Sequence, residues 1–224
     1  MPGIGLLNEK PLHASLKAWY AQPGDRFEVS VDGFVIDIVR DSLLLEIQTG
    51  GFASLKSKLA SLVRSHPIRL VYPIAREKWI VRLAKDDGRA AARRKSPRRG
   101  RVEDLFWEMV RIPRLSSNRN FSLEVLMIRE EEVRRHEGGR RWRRRGWVVE
   151  ERRLLEVVDR RVFQKPADWL AFLPEGCEPF TARDLAEARG IRLELAQKMA
   201  YTLRQARLVS VIGRRGRASL YGVA

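Results

Sequence analysis

Asp37 and Glu46 flank the dipeptide Asp41-Ser42, and that spacing could bring two carboxylates face to face. If Asp41-Ser42 form a hairpin turn, opposing residues have numbers that sum to 83. Asp37 then lies across from Glu46 with Cβ atoms about 5 Å apart. Strand side chains alternate, so Glu46 and Gln48 share the face of Asp37, while Ile36, Ile38, Leu45 and Ile47 take the other. Two facing acids on apolar strands repel, and partial burial makes each harder to ionise. A divalent cation relieves both problems, and hard oxygen ligands suit Mg²⁺ or Mn²⁺. The same residues also read as an acid at a strand edge and a solvated glutamate.

The elements that must position these acids follow from hydrophobic period. Asn8 to Tyr20 reads as a helix with Asn8 as N-cap, Pro11 in its first turn, and Leu12, Leu16 and Trp19 on one face. Phe27, Val29 and Val31 alternate as a strand, and Asp32-Gly33 turns the chain into Phe34–Val39. A third strand runs to Gln48, and Phe52 to Ser65 is an amphipathic helix. Ile68–Ile74 and Trp79–Leu83 read as two further strands. Residues 85–101 look like an exposed basic connector. Beyond it, a helix near Val102–Val110 precedes two long strand-like runs, Phe121–Val133 and Gly146–Val162, with a hairpin tip between them.

Asp37, an intervening hairpin and then Glu46-Ile47-Gln48 resemble the PD-(D/E)xK nuclease superfamily, to which restriction endonucleases and Holliday-junction resolvases belong. The resemblance covers about the first 84 residues. It implies that Asp37 and Glu46 hold a catalytic Mg²⁺ or Mn²⁺, and that Glu9 on the first helix assists. Gln48 stands where the superfamily usually has lysine, so the motif is an ExQ variant. Glutamine can orient a water but brings no positive charge; Lys56 or Lys58 on the next helix is a candidate substitute, although both read more readily as solvated helix surface. The resemblance also allows a homodimer.

The chain carries 44 Lys and Arg against 28 Asp and Glu, a formal charge of +16. That surplus points to a polyanionic partner, and the nuclease resemblance implies DNA in preference to RNA. It concentrates in residues 85–173, where 24 basic residues face 15 acidic ones. Arg140, Arg141, Trp142, Arg143, Arg144 and Arg145 interleave bases with an aromatic, a pattern suited to backbone contact and stacking.

Residues 166–224 resemble a winged helix-turn-helix. Thr181 caps Ala182–Arg189, Gly190 makes the turn, Ile191–Ala206 is the longer helix, and two strands flank the tip Gly213-Arg214-Arg215-Gly216-Arg217. Candidate DNA contacts are Arg192, Gln197, Lys198, Arg204, Arg214, Arg215 and Arg217.

The lone Cys177 excludes an intramolecular disulfide and a cysteine-based zinc site. His13, His66 and His136 lack metal-ligand spacing. No signal peptide or membrane-length apolar run is evident, so the expectation is a cytoplasmic protein with no membrane partner. The fold class expected is α/β (α+β): a restriction-endonuclease-like mixed sheet flanked by helices over residues 1–84, a basic extension over 85–163 and a winged helix over 164–224. The function expected is Mg²⁺-dependent cleavage of DNA. A catalytically inactive nuclease fold acting as a DNA-binding regulator is one alternative, and an RNA-binding factor is another.

Overall fold

A computed structural model describes residues 10–84, 90–136, 146–174, 176 and 179–224. Among them, seven strands form one mixed sheet with helices on both faces. Helix α1 (Pro11–Tyr20) precedes three antiparallel strands, β1 (Arg26–Val31), β2 (Phe34–Arg40) and β3 (Leu43–Ile47). Helix α2 (Lys56–Leu62) then carries the chain across the sheet, so that β4 (Ile68–Leu83) lies parallel to β3. β5 (Ala90–Lys95) pairs with the far half of β4. After the short helix α3 (Phe106–Met109), β6 (Phe121–His136) runs parallel to β4, and β7 (Trp147–Phe163) returns antiparallel along β6. The order is β1-β2-β3-β4-β6-β7, with β5 on the side of β4 that β3 leaves free.

Each face of the sheet has its own core. On one, Leu12, Leu16 and Tyr20 of α1 pack on Ile38, Leu45, Ile47, Val71, Leu126 and Ile128. These i, i+4, i+8 residues make the buried stripe of α1. Tyr20, not Trp19, completes that stripe. The Tyr20 hydroxyl donates to the buried Glu124 carboxylate at 2.6 Å, whereas Trp19 stays 45% exposed. Helix α1 starts with Pro11 at its first position and Lys10 as N-cap; the expected cap, Asn8, lies outside the described residues.

The opposite face holds a larger core, in which Leu59 and Leu62 of α2 meet Val39, Leu44, Leu70 and Val125. Ile36 belongs here, and not with Ile38 as strict alternation predicts. The β2–β3 ladder ends at the Ile38–Leu45 pair, so the preceding part of β2 is free to twist. The chain past β7 closes this core. Helices α4 (Pro166–Leu170), α5 (Ala182–Arg189) and α6 (Leu193–Gln205) bring in Trp169, Leu185, Leu195, Met199 and Leu203. Phe163 stacks on Phe172 with ring centres 5.1 Å apart, and Phe106 meets Phe172 edge-on at 4.9 Å. The hairpin β8 (Val209–Arg215) and β9 (Ala218–Val223) ends the chain, with Phe180 bridging to Tyr221.

Two expectations change in detail. Ile68–Leu83 is one long strand with an irregularity between Ala75 and Glu77, not two strands. Within the supposed connector, residues 90–95 form β5, because the far half of β4 offers them an unpaired edge. The boundary expected at residue 84 falls within the sheet, since β6 and β7 extend the layer that β1–β4 begin.

Candidate active site

The hairpin register predicted from Asp41-Ser42 is present: Ile38 pairs with Leu45, Val39 with Leu44 and Arg40 with Leu43. The ladder stops one pair short of Asp37 and Glu46. Beyond it, side chains replace backbone partners. Ile47 N–H donates to the Asp37 carboxylate at 2.7 Å. The two acids are thereby fixed where β2 and β3 begin to part.

Their surroundings differ. Glu46 is buried, at 7% exposure, and its Oε2 has no hydrogen-bond partner. Its other oxygen, Oε1, lies 2.6 Å from Nζ of Lys58, which also donates to the Val35 carbonyl at 2.6 Å. Burial first, and then the charge of Asp37, push the Glu46 carboxyl above its ordinary range, against the opposing pull of Lys58. Asp37 is half-buried, and Nε2 of His13 on α1 sits 3.2 Å from its Oδ2.

Asp37 opens on a cleft of about 680 Å³ between α1, the start of β2, the 48–50 segment and the beginning of β7. Lys10, Lys17 and Arg152 bring positive charge to its wall; Glu28, Glu150 and Glu151 join Asp37 in bringing negative charge, and the His13 ring lines it as well. Glu28 takes a positive φ of 51° and accepts from Lys17 at 2.9 Å. Gln48 lines the same cleft, but its side-chain amide donates to the Gly51 carbonyl at 2.7 Å, tying the loop that enters α2.

Asp37 and Glu46 are thus brought together, with Gln48 beside them and its donor group engaged elsewhere. Glu9 lies outside the described residues, as do Arg140, Arg141, Trp142, Arg143, Arg144 and Arg145. In the C-terminal part, Arg192 is the N-cap of α6, and Gln197 and Arg204 are exposed along it. Lys198 turns toward the body of the protein, over the Trp107 ring at 5.1 Å. Arg214, Arg215 and Arg217 are exposed around the β8–β9 turn, and Arg215 reaches Asp184 at 2.9 Å.

Two residues beside the acids gain their places from tertiary packing. His13 lacks metal-ligand spacing in the sequence, yet it contacts Asp37 through packing of α1 on the sheet. Between Lys56 and Lys58, the approach of α2 to β3 selects Lys58. Helical position carries some of that signal: Lys58 immediately precedes the fully buried Leu59, whereas Lys56 stays exposed.

Among the described residues, no group of three or more His, Cys, Asp and Glu side chains is arranged around a common metal position. The acid pair still fits a hard divalent cation. The partnerless Oε2 of Glu46 is a buried carboxyl oxygen beside a second carboxylate, and Mg²⁺ commonly takes only one or two protein carboxylates, with water and phosphate oxygens completing its shell.

The family described as a domain of unknown function, DUF8091, matches residues 10–164, a span that takes in α1, the whole seven-stranded sheet and both acids. A relative from Treponema pallidum (strain Nichols), named as an uncharacterized protein, is 30% identical over 224 residues; the match covers 97% of this chain and 86% of the relative. No solved structure matches the chain.

Proposed function

The chain belongs to the DUF8091 family, and from its acidic cleft we propose that it is a metal-dependent deoxyribonuclease hydrolysing phosphodiester bonds. The observation that carries this reading is a pair of carboxylates where two strands part: Asp37 on the wall of a cleft, and beside it the buried Glu46, which contacts the Lys58 ammonium group. The order of elements supports it. A helix, three antiparallel strands, a helix and a parallel strand, with α1 and α2 on opposite faces, resemble the restriction-endonuclease-like core of the PD-(D/E)xK nucleases.

Asp37 and Glu46 would hold Mg²⁺ or Mn²⁺, which when bound lowers the pKa of water and offsets charge on a phosphate. Lys58 supplies the positive charge that Gln48 lacks, beside the acids and in place for negative charge developing on the phosphate. His13 holds the Asp37 carboxylate from the α1 side. In the C-terminal part, α5, the left-handed Gly190, α6 and the β8–β9 hairpin resemble a winged helix. On this reading Gln197 and Arg204 lie along the helix facing DNA, and Arg214 and Arg217 lie on the wing. Such an enzyme would act in the cytoplasm.

The test is cleavage of labelled single-stranded, duplex, flapped and four-way-junction DNA with Mg²⁺ or Mn²⁺. Cleavage that EDTA, Asp37→Ala and Glu46→Ala each abolish is the expected result. Cleavage surviving Asp37→Ala overturns the assignment.

A second reading, a DNA-binding regulator on a catalytically inactive nuclease fold, draws on Gln48, whose amide serves the Gly51 carbonyl and not the acids. It predicts salt-sensitive DNA binding with no cleavage under any metal.

A further inference from the structure

The acidic cleft does not stand alone. A second cleft of about 470 Å³ lies over Tyr72 and Lys78, walled by Arg98, Trp107 and Arg152. Arg152 lines both, so one side chain is the wall between them. It is well anchored there, bound to the fully buried Glu130 at 2.5 Å and donating to the Thr49 carbonyl at 3.1 Å. A third cleft of about 330 Å³ sits between the 98–101 segment and the start of α6. It shares Arg98, Asp104 and Trp107 with the second, and adds Arg99 and Arg192.

Most cations along this line are already engaged. Lys78 contacts Glu130 and Glu132, Arg134 pairs with Glu132, and Arg101 donates to the carbonyls of Arg189 and Gly190. The guanidinium groups of Arg98 and Arg192 are different. Both residues are exposed, and neither guanidinium has a carboxylate or carbonyl partner among the described residues. These two guanidinium groups therefore lie on the far side of Arg152 from Asp37, Arg98 in the second and third clefts and Arg192 in the third, beside the half-buried Trp107.

We propose that the three adjoining clefts form one track for a single strand of DNA, leading from Asp37 past Arg152 to α6, with Arg98 and Arg192 each holding a backbone phosphate. Single strands are bound by cations that follow the backbone and by aromatic rings beside the bases, and Arg98, Trp107 and Arg192 bring both kinds of group together. The walls at Arg152 and at Arg98 divide the track into small compartments, a scale that suits one strand and not a duplex. This inference rests on the nuclease reading for where the strand leads, but its test reads binding alone.

The experiment is fluorescence anisotropy with labelled oligothymidylates of increasing length in EDTA, using the full chain with Asp37→Ala as parent. Affinity should climb with length until the strand reaches the third cleft. Adding Arg98→Ala and Arg192→Ala should weaken the longer oligomers about tenfold and lower the salt slope by about 1.4, at roughly 0.7 per phosphate on a single strand. The shortest oligomers should be unaffected. Arg64→Ala, at an exposed arginine that lines none of the three clefts, should change nothing. Thermal melting of the double variant should match its parent.

Equal affinity with and without Arg98 and Arg192 at every length overturns the track. A larger loss on blunt duplex than on single strands overturns it too, and tighter binding of oligouridylates overturns the choice of DNA. Failure of the nuclease reading looks different: the unsubstituted chain would not cleave, while the length dependence and the arginine effect would persist.

Discussion

Lys58 and Glu46 meet at 2.6 Å although one belongs to a helix and the other to a strand on the far side of a loop, and their contact places an ammonium group on the buried member of the acid pair. On the proposed nuclease reading, Lys58 would take, in space, the role that residue 48 would hold in sequence. Lys58→Ala should lower kcat for DNA cleavage by about 10²–10³, the usual cost of losing one aligned electrostatic donor. Gln48→Ala should cost less than about tenfold, because its amide serves the Gly51 carbonyl. Steady-state kinetics on one substrate checks both; the reverse ranking would return the role to Gln48.

Glu46 also makes the protein sensitive to pH. Its carboxyl is raised in the folded state, chiefly by burial and then by Asp37, so the folded chain binds its proton more tightly than the unfolded chain does. Stability from this group is therefore full below the ordinary carboxylate range and falls as pH climbs from there through the raised value. Glu46→Gln removes that dependence. Without metal at neutral pH it should raise Tm, with ~1 kcal/mol corresponding to ~2–4 °C in a chain of this size. Thermal melts across pH 4–8 read the effect, and a lower Tm for Glu46→Gln at neutral pH would contradict it.

On the α1 face, Tyr20→Phe deletes the donor to Glu124, a carboxylate only 1% exposed. Arg69 remains 3.6 Å away as compensation. The loss of a hydrogen bond to a charged, buried acceptor should cost about 1.5–3 kcal/mol. Urea denaturation, with the m-value held constant between variant and parent, measures it.

Across the sheet, Phe172→Ala removes the ring that packs on both Phe106 and Phe163. A cavity of that size should cost about 3–5 kcal/mol. Since Phe163 ends β7 and Phe106 begins α3, the loss should destabilise sheet and C-terminal helices together. Hydrogen exchange should report weaker protection in both β7 and α6; a change confined to residues beyond 164 would indicate separate folding.

The sheet core and the acid pair are legible in the sequence because both depend on local rules. Asp41-Ser42 sets the register, and alternation then assigns Leu45 and Ile47 to the α1 face. Contacts between elements distant in sequence are not legible in this way. The choice of Tyr20 over Trp19 depends on Glu124, 104 residues downstream. His13 and Lys58 acquire their roles only when α1 and α2 dock on opposite faces. The strand at Ala90–Lys95 is hidden by its composition, since AAARRK lacks alternation and becomes extended by pairing with β4. Ile36 departs from alternation for a geometric reason, the end of the ladder at Ile38.

The long parallel register between β4 and β6, from Ile68–Phe121 to Arg82–Arg134, also constrains the order in which the molecule can form. These partners are roughly fifty residues apart, so chain entropy must be lost across that whole loop before a single rung is gained. On a ribosome, β1–β3 and α2 can assemble as soon as they emerge. β4 must then wait, its β6 edge unpaired, until another fifty or so residues have been made, several seconds at ordinary rates of synthesis. Pairing with β5, which emerges directly after it, covers part of the opposite edge during that interval.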